Sequence, residues 1–162
     1  MVGTASPPAT ASPTSTPRVV IETVAPAVDG GRYPVKRIAG DRVEVTADIF
    51  TDSHDAIGAV VRHRHAGDTS RATTPWSEVG MRRLSNDRWA AEFTVDTLGT
   101  HEFIVAAWID DFGTWRKAVR ARHATDRVTD RDLQDGAVVI RDALTRTARH
   151  DVTWLAARAR LL

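Results

Sequence analysis

Arg42-Val43-Glu44-Val45-Thr46-Ala47-Asp48-Ile49-Phe50 is the stretch that decides the fold. Val43, Val45, Ala47 and Ile49 fall on one side, and Arg42, Glu44, Thr46 and Asp48 on the other. A period of two is that of a β-strand with one face in a core and the other in water. Gly40-Asp41 immediately before it is a turn signal.

The same pattern recurs outward in both directions. Arg18 to Val24 is β-branched and ends before Ala25-Pro26. Ala59, Val61, His63 and His65 share one side of a run that stops at Gly67-Asp68. A shorter strand is expected from Trp76 to Leu84. Trp89, Ala91, Phe93 and Val95 alternate with Arg88, Ala90, Glu92 and Thr94, then break at Asp96-Thr97-Leu98-Gly99. His101 to Trp108 and Thr114 to Arg122 read as two strands joined across Asp110-Asp111-Phe112-Gly113, a hairpin-length connection. Short strands separated by turn residues predict a mainly β fold, an antiparallel immunoglobulin-like β-sandwich rather than a βαβ arrangement.

Beyond Thr125 the period changes. Leu133, Ala137, Ile140, Leu144 and Ala148 recur three or four residues apart, which predicts an amphipathic helix. Thr129 with Asp132 has the spacing of a capping box, with Asp in place of Glu. Asp151 is placed to cap a second helix whose apolar side is Val152, Leu155, Ala159 and Leu162. At the other end, Met1 to Pro17 holds four prolines among Ala, Ser and Thr and no charged side chain. Such a stretch cannot bury enough apolar surface to offset its ordering entropy. The expected organisation is therefore a disordered tail over 1–17, a sandwich over 18–125 and a helical segment over 126–162, cut short within its helices.

Composition excludes several kinds of chemistry. There is no cysteine, hence no disulfide scaffold, thiolate zinc site or cysteine nucleophile. The amino terminus has neither the basic nor the apolar region of a signal peptide, and no apolar run is long enough to span a bilayer. A cytoplasmic protein without a membrane partner is the expectation. The 22 basic residues are balanced by 21 acidic ones and are scattered along the strands, so nucleic acid is not an expected partner.

A search for active-site groups returns little. Asp110 and Asp111 are adjacent, and neighbouring strand residues face opposite ways, so they read as a turn rather than a carboxylate dyad. His63 and His65 point the same way, as in some sheet metal sites, with His54 or His101 as a third ligand. Two partly buried histidines beside Arg62 and Arg64 are the preferred account, and no metal or cofactor is expected. No serine lies in a Gly-x-Ser-x-Gly elbow, and Gly30-Gly31 is not followed by Gly-Lys-Ser/Thr. Among Trp76, Trp89, Trp108, Trp115 and Trp154, Trp89 is in phase with the core. Trp108 is out of phase with Phe103, Val105 and Ala107. Trp108 and Trp115 are the candidate pair for a sugar-stacking platform, since an indole face packs well on a pyranose ring.

Several ordered stretches resemble one family. These are Arg18-Val19-Val20-Ile21-Glu22, Ala25 to Lys36, Val43 to Ala47, His54-Asp55, and Asp87-Arg88-Trp89 with Glu92-Phe93. The most specific is Ala107-Trp108-Ile109-Asp110-Asp111-Phe112-Gly113-Thr114-Trp115-Arg116. Together they resemble the opening of bacterial α-1,4-glucan:maltose-1-phosphate maltosyltransferases, of the α-amylase clan. Ser53 stands where that family usually has Gly, and His101 where an aromatic residue is common. The resemblance implies a non-catalytic amino-terminal domain, structural and dimerising. The whole enzyme would transfer maltosyl units from α-maltose 1-phosphate to α-1,4-glucans in glycogen synthesis. Its Asp nucleophile and Glu acid/base belong to a (β/α)₈ barrel and have no counterpart here. A free-standing glucan-binding sandwich is the alternative.

Overall fold

In a computed structural model that describes residues 19–66 and 75–146, the stretch Arg42–Phe50 is strand β2. It follows β1 (Val20–Ala25) and precedes β3 (Ile57–His65), β4 (Ser77–Gly80), β5 (Arg82–Arg83), β6 (Arg88–Thr94) and β7 (His101–Ile109). Helices α1 (Asp111–His123) and α2 (Asp130–Arg146) come last. The proposed tail over 1–17, the turn at Gly67-Asp68, Ala148 and the helix capped by Asp151 lie outside the described residues.

The strands form two sheets, ordered β1-β2-β6-β5 and β4-β3-β7, and every pairing is antiparallel. In the first, β2 meets β6 with Val43 opposite Phe93, Val45 opposite Ala91 and Ala47 opposite Trp89. In the second, Ala59 lies opposite Ala107 and Val61 opposite Val105. These inward residues form one core, with Val45, Ile49 and Val61 wholly buried. Trp89 is buried as its phase predicts, and its indole N–H donates to the Ile49 carbonyl at 3.1 Å. The expected antiparallel sandwich is therefore observed, because the alternation leaves each sheet one apolar face and the two faces cover each other.

Two expectations change. The run Trp76 to Leu84 is not one strand. Ser77–Gly80 pairs with β3, while Arg82–Arg83 pairs with β6 in the other sheet. The chain crosses between the layers at Met81, whose side chain is buried and whose N–H donates to Ala59 O at 2.8 Å.

The second change is larger. Thr114 to Arg122, expected as the return strand of a hairpin, is helical, so the helices begin at Asp111 rather than after Thr125. Asp110 is the N-cap: its carboxylate accepts the Gly113 N–H at 2.8 Å. Ala56, in the β2–β3 loop, ties this start to the sandwich from both sides. Its carbonyl accepts the Asp110 N–H and its own N–H donates to Thr114 Oγ1, each at 2.8 Å. Past the cap, Arg116-Lys117-Ala118 and Arg120-Ala121-Arg122 are good helix formers that also fit a period of two. The cap and the Ala56 bonds favour the helix.

Helix α2 starts where the capping box places it. The Thr129 N–H donates to Asp132 Oδ2 at 2.9 Å and the Asp132 N–H to Thr129 Oγ1 at 3.4 Å. Asp132 is buried and is ion-paired with Arg122 of α1. The two helices also meet through Trp115, whose indole N–H donates to the Asp132 carbonyl at 2.6 Å. No helix among the described residues is long and apolar enough to cross a membrane.

Candidate functional site

Trp108 and Trp115, the candidate platform, have different surroundings. Trp115 sits between the helices, with its N–H on Asp132 O and its ring against Gly136. A Cβ at Gly136 would fall 2.2 Å from Trp115 Cζ2, so the helices approach this closely only because that residue is glycine. Phe112 completes the contact, its ring 5.4 Å from that of Trp115. Trp108 projects instead from the outer side of β7, opposite Gly58 of β3, and is 48% exposed.

The adjacent acids do not face one reacting atom. Asp110 caps α1 and Asp111 opens its first turn, where a negative side chain complements the helix dipole. The histidines divide in a similar way. His65 and His101 are direct partners in the β3–β7 register, with ring centroids 4.9 Å apart. Their Nε2 atoms lie 3.0 Å from Leu98 O and 2.9 Å from Thr97 O, respectively. His63 stacks on Phe93 at 4.3 Å. Burial is the main cause holding its pKa below the usual imidazole value, with the His101 charge adding to it and Asp96 opposing. His54 lies in the loop before β3, and the nine-residue strand separates it from His65. At about 3.3 Å per residue that is more than 25 Å. It cannot join them on one ion. Among the described residues no group of three or more His, Cys, Asp or Glu is arranged to hold a metal.

Against this geometry, a family model described as alpha-1,4-glucan:maltose-1-phosphate maltosyltransferase, domain N/S, matches residues 17–162. The chain belongs to this family. Curated maltosyltransferases of the same name are similar over most of it. That of Chlorobaculum tepidum is 42% identical over 138 residues, covering 85% of this chain and 20% of the relative. That of Myxococcus xanthus is 41% identical over 129 residues, covering 79% and 19%. One from Cereibacter sphaeroides is 42% identical over 131 residues, covering 81% and 21%. The chain thus spans about a fifth of the length of the maltosyltransferases it matches.

Within this maltosyltransferase domain, the most specific stretch of the resemblance, Ala107 to Arg116, is the junction where the last strand becomes the first helix. Ser53, where the family usually has glycine, bonds Asp55 in both directions, Oγ to Oδ2 at 2.8 Å and the Asp55 N–H to Oγ at 3.3 Å. Sequence reasoning missed a cleft of about 520 Å³ at one end of the sandwich. It lies between Tyr33 and Pro34 on one side and Leu98, His101 and Phe103 on the other. Its walls come from separate segments, so no local pattern marks it. It also missed the closeness of Trp108 to β3 and of Trp115 to α2. Gly58 inside a strand and Gly136 inside a helix were the available signals.

Proposed function

We propose that this chain is the non-catalytic amino-terminal domain, structural and dimerising, of a cytoplasmic glycogen-building maltosyltransferase. The whole enzyme would move maltosyl units from α-maltose 1-phosphate to α-1,4-glucans, with the bond-making carboxylates on a portion outside this chain. The observation that carries this reading is the family match over 17–162, in a chain one-fifth the length of those enzymes. The local chemistry supports it, since Asp110 and Asp111 are both used to start a helix. So does β7, a nine-residue strand that among the described residues pairs with β3 alone and lies at the edge of its sheet. The division into a tail over 1–17, a sandwich and a helical segment running to 162 belongs to the same proposal, with the helical segment starting at Asp111.

The purified chain, incubated with α-maltose 1-phosphate and glycogen, is expected to release no phosphate. Phosphate release by the 162 residues alone would overturn the reading. The free-standing glucan-binding module is favoured by one observation, the half-exposed Trp108. It predicts a native protein no heavier than the 17.8 kDa chain or its oligomers, whereas a domain of the larger enzyme travels with a far heavier polypeptide.

A further inference from the structure

The outer side of the β4-β3-β7 sheet presents Gly58, Val60, Arg62 and Arg64 from β3, beside Trp108, Ala106, Ile104 and Glu102 from β7. Glu78 and Gly80 of β4 complete it. At the Trp108 end, a Cβ on Gly58 would lie 2.7 Å from indole Cε2 and 2.8 Å from both Cζ2 and Nε1. Three atoms drawn from both rings at nearly one distance mean that the indole lies flat on the glycine. One ring face is pressed to the sheet and the other is turned outward. Such a ring is a rigid shelf, held in place before any ligand arrives. Beside it Val60, Ala106 and Gly80 form a low floor, and Ile104, 47% exposed, stands further along β7.

The charges on this face are matched internally. Arg62 pairs with Glu78 at 2.6 Å, and Arg64 with Glu102 at 2.8 Å while lying over the Trp76 ring at 4.4 Å. The pairs cancel, so the face offers no net charge to an anionic or cationic partner. The guanidinium of Arg62 and the carboxylates of Glu78 and Glu102, each about half-exposed, still offer hydrogen bonds to hydroxyls. A flat aromatic shelf, a neutral surroundings and flanking donors and acceptors suit a neutral polyol with one apolar C–H face. From Gly58 to Arg62 is four strand residues, about 13 Å, so the ligand must be longer than a single sugar ring to use both ends.

We propose that this face, with Trp108 as its indole shelf, holds an α-1,4-linked glucan chain. The choice of glucan rests on the proposed function above. Trp115 has no part in it, because its ring and N–H are engaged between the helices.

Native electrophoresis of the 162-residue chain through gels containing glycogen, with a maltoheptaose titration followed by tryptophan fluorescence, tests this. Retardation of the wild-type chain is expected, and Trp108→Ala should abolish it, the dissociation constant rising about tenfold or more. Trp108→Phe should keep part of the binding. Gly58→Ala, which forces the ring off the sheet, should weaken binding without removing the tryptophan. Thermal melts of these variants close to wild type would show that the fold is intact. Wild-type mobility unchanged at high glycogen would overturn the proposal, as would unchanged retardation of Trp108→Ala. So would an oligomer that Trp108→Ala dissolves while glycogen has no effect, which would make the face a protein interface. The phosphate-release assay is independent of all these results, so loss of the glucan face leaves the maltosyltransferase reading standing.

Discussion

The two sheets share one core but turn different faces outward. On the four-stranded sheet the outer side carries Arg42, Glu44, Thr46 and Asp48 of β2 beside Arg88 and Glu92 of β6. Two ion pairs cross it, Arg42–Glu92 at 3.3 Å and Arg88–Asp48 at 2.9 Å. On the three-stranded sheet the matching side is apolar over half its length, with Val60, Ala106, Ile104 and Trp108 around two glycines. A sheet face that ends at water alternates cleanly, whereas one destined for contact does not. The first face is finished by solvent. The second is the face proposed above to hold a ligand.

The sharpest way to break the comparison is to remove the core on which both faces depend. Trp89→Ala deletes a buried ring from the four-stranded sheet and its bond to Ile49. It should cost about 3–5 kcal/mol, read as a lower urea midpoint. If it costs less than about 1 kcal/mol, the two layers do not depend on this ring to pack together.

A smaller effect should separate the sheets by pH. No strand of the four-stranded sheet contains histidine, whereas β3 and β7 supply His63, His65 and His101. Burial holds the His63 pKa below the usual imidazole value near 6.5, so the folded state prefers the neutral ring more than the unfolded state does. Its contribution is present above pH 6.5 and is lost as pH falls through the lowered folded value. Denaturation midpoints should therefore drop on acidification through that window, and His63→Phe should flatten the drop. An identical pH profile in the variant would remove His63 from the account.

The smallest effect belongs to the wet face. The Arg88–Asp48 pair is partly exposed, with side chains 37% and 28% accessible. A double-mutant cycle with alanine should return a coupling of about 0.2–1 kcal/mol that shrinks with added salt. Coupling of several kcal/mol would mean that this face is less open to water than its alternation indicates.

Much of this was legible beforehand where one element carries its own signal. The period of β2, the inward phase of Trp89 and the Thr129–Asp132 box each depend on residues a few positions apart, and each is found as read. The candidate platform was half legible. Trp108 out of phase with its strand did mean an outward indole, but pairing it with Trp115 assumed a strand where there is a helix. Asp110 can begin either a turn or a helix, and its choice depends on Ala56, more than fifty residues earlier in the chain. The histidines show the same limit. His63 and His65 are near neighbours on one strand, but that His101 and not His54 joins them follows only from the β3–β7 register.

By itself the sequence determined which residues are inward on each strand, where α2 begins, and which family the chain resembles. All three are local patterns or ordered strings of them. Tertiary structure alone decided that the chain changes sheets at Met81, that Thr114 to Arg122 coils, and that Trp108 lies flat on Gly58. The physical reason is common to the three. Alternation tells a strand its inside from its outside, but sheet membership, caps and ring contacts are chosen by partners distant in sequence, whose hydrogen bonds form only once the layers have met.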